Sequence, residues 1–472
     1  MPMATDFLYG LLPEHLLLTL ILVLMVLEIM RADQGLAGPL FLLTLSLGCG
    51  VLVTQLSSGY TLTLIPGEIV IDRFAVLAKL VILGCGTVLG FFSITGSKCF
   101  KTWMLLACSL FGGMVIMESS GFISLFIGIE MLSLPGFALM LHGRGASIAC
   151  EGAFKYLLMS SVATALMLFG ISLVYSHTGT LAVADFVAAA WSGGAHNWAA
   201  GALVLSGFFI KAAVFPFHAW APDAYDSAKL PVTAFLASVI KAAVVLALVR
   251  IVGNTALGSD AALAVALLSV GSIFYGNVAA IQQSTFKRLL AYSSIAHAGY
   301  MMFALTDTTG GRVESLFYYV AVYAVTSIIA CACFSLLCRD ALHQGDPLSC
   351  LDGAYYTHPV PSTILAVTVL SLAGIPPFPG FLAKFLIFKS VIASGYLVPA
   401  VLAFAGSFLG VVYYLGIVFR LFKPTPASEI ARAALIQQQS QNWTWGGVVI
   451  GSLALAIFML FPDLFHRLLA VV

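Results

Sequence analysis

Long apolar stretches recur along the whole chain, and they limit its fold more than any other feature. Of the 472 residues, 61% are hydrophobic and 9% are charged. A soluble domain of ordinary composition has roughly a quarter of its residues charged. Because about twenty apolar residues span the hydrocarbon core of a bilayer, we predict an all-α polytopic membrane protein with about fourteen transmembrane helices.

The first predicted span begins near the N-terminus. It lacks the basic start and the small-residue cleavage site of a signal peptide, so we expect it to be retained. The fourth and tenth spans are short, and the twelfth is long. The predicted spans are 11–30, 39–56, 74–94, 102–117, 122–141, 153–175, 198–217, 232–252, 261–281, 289–305, 316–337, 364–392, 398–422 and 443–461.

The loop charges predict an orientation. With the N-terminus outside, eleven Lys and Arg residues fall in cytoplasmic loops and four on the other side, which is a positive-inside bias. Both termini are then expected outside. The inner set is Arg31, Lys98, Lys101, Arg144, Lys229, Lys287, Arg288, Arg339, Arg420, Lys423 and Arg432, and the outer set is Arg73, Arg250, Arg312 and Arg467.

Several classes of function are excluded by composition. The net charge of +1 gives no basic surface for nucleic acid. The nine cysteines predict neither a disulfide framework nor a metal site. No polar segment is long enough for a soluble domain, and no Walker or dinucleotide motif is present. We predict short surface helices within 181–191 and 428–439.

Ionisable residues inside apolar spans are the candidate functional residues. Glu130, Lys211, Lys241 and Lys384 each lie well inside a span. A central lysine costs ~2.5–3.5 kcal/mol on insertion scales, so such residues are functional candidates by default. Proline breaks follow Lys211 and precede Lys384, and broken helices persist in membranes where protein or water satisfies the freed groups.

Two further candidates have weaker positions. Lys155 is about one turn into its span and can extend its ammonium to the cytoplasmic side. His218 follows the proline break after Lys211, and it is either a proton carrier or an ordinary interfacial histidine. We expect Lys79 and Lys389 to be surface or snorkelling residues. Glu28 is either a bundle-interior or an interfacial carboxylate, and no role follows for Glu118.

The residue types indicate a proton relay. Burial disfavours a charged lysine, whereas an approaching carboxylate favours it, so the ammonium groups can take up and release protons in turn. The other interpretation is that each buried ion only fixes helix packing. A relay also needs polar side chains to line chains of water between the lysines. The candidates are Ser160, Ser161, Thr233, Ser238, Ser293, Ser294, His297, Tyr323 and Thr326.

Six runs of sequence together resemble the antiporter-like subunits of respiratory complex I. The resemblance covers residues 122–414 strongly and the flanking spans weakly. The runs are FIGIEMLSLPGF, EGAFKYLLMSS, FFIKAAVFPFHAWAPDAY, LPVTAFLASVIKAA, TFKRLLAYSSIAHAGYMM and SLAGIPPFPGFLAKF.

The resemblance implies fourteen helices with two inverted five-helix repeats at spans four to eight and nine to thirteen, and discontinuous spans seven and twelve. The implied divisions are an N-terminal segment at 1–101, repeats at 102–252 and 253–423, and a last segment at 424–472. The family's proton-transfer residues fall on Glu130, Lys211, Lys241, Lys384, Lys155 and His218.

The resemblance also implies partners and a location. The partners are the other membrane subunits of complex I, sister antiporter-like subunits, lipid and protons, in a bacterial inner membrane. NADH, flavin mononucleotide, iron–sulfur clusters and quinone are expected in partner subunits, with no cofactor in this chain. Two alternatives stay open: a subunit of a multisubunit sodium/proton antiporter, and a membrane scaffold.

Overall fold

The computed structural model describes residues 4–94, 99–141, 146–190, 194–252, 257–338, 345–424 and 442–461. Within these ranges the chain is helical apart from one hairpin and its connections. The helix predicted at 428–439 lies outside the described residues. The helices of the first half are α1 (Ala4–Gly10), α2 (Leu12–Ile29), α3 (Ala37–Ser57), α4 (Arg73–Ile94), α5 (Phe100–Glu118), α6 (Phe122–Met140), α7 (Ala146–Thr178), α8 (Val183–Ala190), α9 (Ala195–Ala212), α10 (Ala221–Ser227), α11 (Leu230–Phe235) and α12 (Lys241–Val252).

The second half continues with helices of the same kind, and the strands belong to the first half. The helix predicted within 181–191 is confirmed as α8. The remaining elements are α13 (Ser259–Ile281), α14 (Phe286–Phe303), α15 (Arg312–Leu337), α16 (Ala354–Thr357), α17 (Pro359–Ala373), α18 (Pro379–Ala393), α19 (Leu397–Leu421) and α20 (Asn442–Leu460), with strands β1 (Leu62–Ile65) and β2 (Ile69–Ile71).

The helices have the length and composition of membrane spans. Among the described residues, eleven helical segments are long and apolar enough to cross a bilayer. The three remaining predicted spans correspond to α9, to the more polar α14, and to the pair α17 and α18. The predicted class, an all-α polytopic membrane protein, is confirmed.

Both predicted helix breaks occur, but the first lies earlier than the prolines indicated. The helix α9 ends at Ala212, and Ala213 takes a left-handed conformation with φ of 58°. Pro222 then lies in the first turn of α10, where proline is well tolerated, so it starts that helix. The carbonyl of Ile210 accepts the Ala213 N–H at 3.1 Å and also the Trp220 indole N–H at 2.8 Å.

The twelfth span is two half-helices. The first, α17, ends where Gly374 has a φ of 80°, and the second, α18, begins at Pro379. Glycine suits this position because a left-handed backbone strains residues that carry a Cβ.

The eighth span contains a wider turn. One π-helical turn, Leu236–Ile240, separates α11 from α12, and Lys241 follows it directly. Single π turns inside α-helices frequently occur at functional sites. This turn was not predicted, because an apolar run gives no local signal for it.

Two helix pairs share one hydrogen-bond pattern. The Ser109 hydroxyl of α5 donates to the Leu132 carbonyl of α6, and the Ser272 hydroxyl of α13 donates to the Ile295 carbonyl of α14. Both bonds join residues 23 apart. This is what two related repeats would produce, although the predicted division at 102–252 and 253–423 stays a prediction.

A short hairpin, which the sequence pattern did not predict, marks one end of the bundle. The strands β1 and β2 pair antiparallel, and Ile69 of β2 also bridges to Ser119 at the end of α5. We call this end the hairpin face. The opposite end, which we call the basic face, carries Lys155, Lys287, Arg288, Arg420 and Lys423.

One disulfide joins Cys338 and Cys350. The cysteine pattern predicted no disulfide framework and gave no indication of this single pairing. Cys338 follows an apolar helix, and in such a sequence a cysteine is interpreted as a small hydrophobic residue. Cys350 comes close to it only because the chain folds back at the basic face.

Candidate functional site

Lys211 and Glu130 face each other between α9 and α6. The Lys211 ammonium lies 3.6 Å from the Glu130 carboxylate and donates to the hydroxyls of Ser160 and Ser133 at 2.8 and 3.3 Å. The Thr164 hydroxyl donates to Glu130 at 2.6 Å. The predicted pair is therefore in place, with neutral hydroxyls completing its contacts.

A small cavity adjoins Lys211. Its volume is about 10 Å³, which is about the room for one water molecule. Lys211, Ser133, Tyr156 and Ser160 form one part of its wall, and Ile240 forms another. Ile240 directly precedes Lys241 in the chain, but Lys241 is not among the described lining residues.

Lys241 is buried at the centre of the bundle, with 2% of its surface exposed. Its ammonium donates to the Ser294 carbonyl at 2.6 Å and to the Ser294 hydroxyl at 3.0 Å. That hydroxyl in turn lies 3.4 Å from the Tyr225 hydroxyl of α10. The lysine of the first half of the chain thus contacts α14 of the second half.

One side of α14 leads from Lys241 to Lys384. Ser294, His297 and Tyr300 follow each other at intervals of three residues, so they share a helix face. Ser294 accepts from Lys241, and the Lys384 ammonium lies 4.8 Å from the centre of the Tyr300 ring. His297 therefore lies between the two lysines.

The two ring nitrogens of His297 each have a phenolic partner. Nδ1 is 2.8 Å from the Tyr319 hydroxyl, and Nε2 is 3.2 Å from the Tyr414 hydroxyl. Tyr414 also contacts Ser293. Sequence reasoning named His297 only as one of many residues for water chains, although a histidine inside an apolar span was a usable signal.

Lys384 lies against the end of the preceding half-helix. Its ammonium donates to the carbonyl of Ala373, the last residue of α17, at 2.8 Å and to the Ser407 hydroxyl at 3.1 Å. A cation is favoured there because the last carbonyls of a helix carry partial negative charge. A cavity of about 780 Å³ between α18 and α19, mostly aromatic and aliphatic in its walls, adjoins this lysine.

Lys211, Lys241 and Lys384 form a row of buried lysines. Lys155 and His218 lie outside this row. The Lys155 side chain is 41% exposed at the basic face and pairs with Glu151 at 2.7 Å and Asp223 at 2.6 Å. His218 packs against the ring of Tyr275, and its Nδ1 has no hydrogen-bond partner among the residues that the structure describes. Neither residue contacts a lysine of the row in the contacts described.

The prediction for Lys79 is wrong, because this lysine is fully buried and contacts the carboxylates of Glu14 and Glu118. The position of Lys389 is consistent with its prediction, and that of Glu28 favours the interfacial alternative. Lys389 is exposed, and Glu28 is partly exposed and lies 3.9 Å from the exposed Lys101.

No group of three or more His, Cys, Asp or Glu residues that could hold a metal ion occurs in the described part of the chain. The expectation that the chain carries no cofactor stays a prediction.

The bundle, its two broken helices and the row of buried cations define an antiporter-like membrane subunit. In agreement, residues 119–410 match the family described as NADH:quinone oxidoreductase/Mrp antiporter, transmembrane. The chain belongs to the NADH-quinone oxidoreductase subunit N family. It is 58% identical to subunit N of Pelobacter propionicus over 98% of this chain and 99% of that protein, and 32% identical to subunit N of Paramagnetospirillum magneticum over 88% of each.

Solved structures agree with this assignment. A chain of respiratory complex I from Thermus thermophilus with bound aureothin superposes with a TM-score of 0.79 at 31% identity, over 96% of this chain and 98% of that one. A chain of the Mrp complex from Dietzia superposes with a TM-score of 0.84 over 98% and 96%. Its identity is 19%, so it shows a shared fold alone.

Proposed function

We propose that this chain is a proton-translocating membrane subunit of an NADH-quinone oxidoreductase. Electron transfer from NADH to quinone takes place in other subunits, and this subunit uses the released free energy to move protons. The residues that carry them are Glu130, Lys211, Lys241 and Lys384, with His297 between the last two.

One observation carries the proposal: four ionisable groups lie inside a membrane bundle, and each has a polar or aromatic partner there. Glu130 and Lys211 form a pair, Lys241 contacts Ser294, and Lys384 contacts the Tyr300 ring. A buried lysine without a carboxylate is costly when charged, so its protonation depends on what its neighbours carry. A charge change at one end of the row therefore alters the next group.

Lys155 and His218 have a different role in this proposal. Lys155 and Asp223 form a charged surface at the basic face, and Arg288 joins them at 3.3 Å from Asp223. Such a surface gathers protons from the cytoplasm, and His218 passes them toward the broken helix. The positive-inside bias supports the basic face as cytoplasmic, with both termini in the periplasm.

The partners follow from the same assignment. We propose that other membrane subunits of complex I, including sister antiporter-like subunits, flank this chain in the bacterial inner membrane. Flavin mononucleotide, iron–sulfur clusters and bound quinone then belong to those other subunits. The repeats at 102–252 and 253–423 would place the Lys211 half and the Lys384 half in opposite orientations.

The antiporter alternative shares the helix core but has less support. A sodium/proton antiporter subunit would show transport that depends on sodium, whereas the 58% identity over nearly the whole chain is to a subunit of the NADH oxidoreductase. The scaffold alternative predicts that Lys241 can be removed without loss of pumping.

The test is Lys241→Ala in the intact complex, assayed in inverted membrane vesicles. NADH oxidation and proton uptake are measured together, in sodium chloride and in choline chloride. We expect proton uptake to fall by ~10-fold or more, since a positioned proton-transfer group contributes roughly 10²–10⁴-fold in enzymes. Uptake should not depend on sodium.

The matched control is Lys101→Ala, because the Lys101 side chain is 64% exposed. Native electrophoresis and NADH oxidation by an artificial acceptor report assembly. Normal pumping by an assembled Lys241→Ala complex would support the scaffold and refute the relay.

A further inference from the structure

A second group of buried ions lies near the hairpin face. The Lys79 ammonium of α4 lies 2.8 Å from a carboxylate oxygen of Glu14 on α2 and also contacts a carboxylate oxygen of Glu118 on α5. The side chains of the two acids are 6% and 3% exposed, and that of Lys79 is not exposed at all. Three helices therefore each contribute one ionisable group to a dry contact.

The nearest other charges compensate each other. Asp72 and Arg250 are within electrostatic range of Lys79 and form an ion pair at 2.8 Å. The Arg250 guanidinium also donates to the Met117 carbonyl at 2.8 Å, next to Glu118. Because this pair is neutral, two carboxylates and one ammonium leave the buried group with one uncompensated negative charge.

The uncompensated negative charge can be located on a carboxylate oxygen of Glu14. Oε2 of Glu14 is buried and has no hydrogen-bond partner in the described ranges. A buried carboxylate oxygen without a donor is costly, and two carboxylates that share a site resist ionising together. A small cation such as a proton would give the unpaired oxygen a partner and would also remove the repulsion between the two carboxylates.

We propose that Glu14, Lys79 and Glu118 form a second proton-binding site, in which the two carboxylates share one exchangeable proton beside a charged Lys79. Binding converts one carboxylate to a carboxylic acid, and the net charge of the group changes from −1 to zero. No other bond forms or breaks, and no further reactant is needed.

None of the contacts described for Glu14, Lys79 and Glu118 is to Lys211, Lys241 or Lys384. Lys241 begins α12 and Arg250 lies in its last turn, nine residues on, so the two are ~14 Å apart along the helix. The residues between them are all apolar, Ala242–Val249. The nearby carboxylate of Asp72 is 39% exposed, so the site exchanges its proton with the solution at the hairpin face.

The experiment is infrared spectroscopy of the intact complex, before and after transfer to D₂O. Glu14→Gln and Glu118→Gln are compared with the unmodified protein at neutral pH. We expect a deuterium-sensitive carboxylic-acid band in the unmodified protein and its loss in each single variant. Either change leaves one carboxylate beside Lys79, which is a neutral pair, and the remaining acid ionises.

The control is Glu28→Gln, because Glu28 is partly exposed and lies against the exposed Lys101; its spectrum should keep the band. If neither Gln variant alters the band region, the three residues form only a structural ion group and the proposal is wrong. If saturating sodium chloride abolishes the band and choline chloride does not, the site takes sodium rather than a proton, which also overturns it. Pumping by the lysine row is a separate measurement and does not decide this one.

Discussion

The Lys384 ammonium donates a hydrogen bond of 2.8 Å to the carbonyl oxygen of Ala373, the residue at which α17 ends. The break in this span therefore does more than interrupt a helix. It exposes carbonyl groups that would otherwise be bonded within the helix, and a buried cation occupies that position. The position of Lys384 depends on the backbone conformation at Gly374.

Gly374→Ala should displace Lys384. A Cβ there would lie 2.8 Å from Lys384 Cδ and 3.1 Å from its Nζ, and the flexible side chain would give way. The left-handed backbone adds roughly 1–2 kcal/mol of strain. We expect proton uptake in vesicles to fall severalfold.

Gly395→Ala is the matched control for this change. Gly395 also has a positive φ, 91°, but a Cβ there meets open space. Both variants should therefore lower thermal stability to a similar degree, and only Gly374→Ala should lower pumping. Equal pumping by the two would show that the contact with Lys384 is not needed.

His297→Phe should interrupt the connection between Lys241 and Lys384. Phenylalanine fills the same space but offers no nitrogen to the hydroxyls of Tyr319 and Tyr414, now 2.8 and 3.2 Å away. We expect the pumping rate to fall by ~10-fold or more, on the scale of lost proton-transfer groups. The control is His15→Phe, because His15 is exposed and its ring nitrogen lies 2.6 Å from the carbonyl of Leu11, four residues earlier in the chain. An assembled His297→Phe complex with normal pumping would remove His297 from the relay.

Glu130→Gln should slow turnover more than Thr164→Val. The first change removes the only carboxylate found near Lys211 in the described contacts, and the second removes only the hydroxyl that donates to that carboxylate. A hydrogen bond to a charged group contributes about 1.5–3 kcal/mol, but the charge itself remains in Thr164→Val. NADH oxidation coupled to proton uptake measures both variants. A larger loss in Thr164→Val than in Glu130→Gln would contradict a Glu130–Lys211 pair.

Asp352→Asn tests an ion pair at the basic face. Partial burial opposes ionisation of Asp352, but hydrogen bonds from Lys423 and Arg420 outweigh it and lower the pKa of this carboxyl. A lowered pKa contributes stability above the unfolded pKa and loses it only as pH falls through the folded pKa. The contribution is therefore constant between about pH 6 and 8.

The size of this effect should be small, because Lys423 is 61% exposed and exposed pairs contribute roughly 0–1 kcal/mol. Thermal unfolding of the purified complex should show a slight decrease for Asp352→Asn that is the same across that pH range. A difference that grows between these pH values would contradict the assignment.

The main candidates could be found from sequence because each is unusual in its own segment. Lys211, Lys241 and Lys384 interrupt apolar runs, and prolines mark both broken spans. The position of His297 could not be read in this way, since its role depends on Tyr319 and Tyr414 from two other helices. The π turn before Lys241 could not be predicted either, because the apolar run around it contains no local signal for such a turn.

The sequence by itself determined that this chain is a bundle of membrane helices with a few costly ions inside them, because hydropathy is a local property that sums over twenty residues. Only the tertiary structure decided which ions meet. Lys79, which was expected at the surface, contacts Glu14 and Glu118 inside the bundle, whereas Lys155 lies at the basic face. Such contacts join residues far apart in the chain, and their geometry is set by how the helices pack rather than by any one segment.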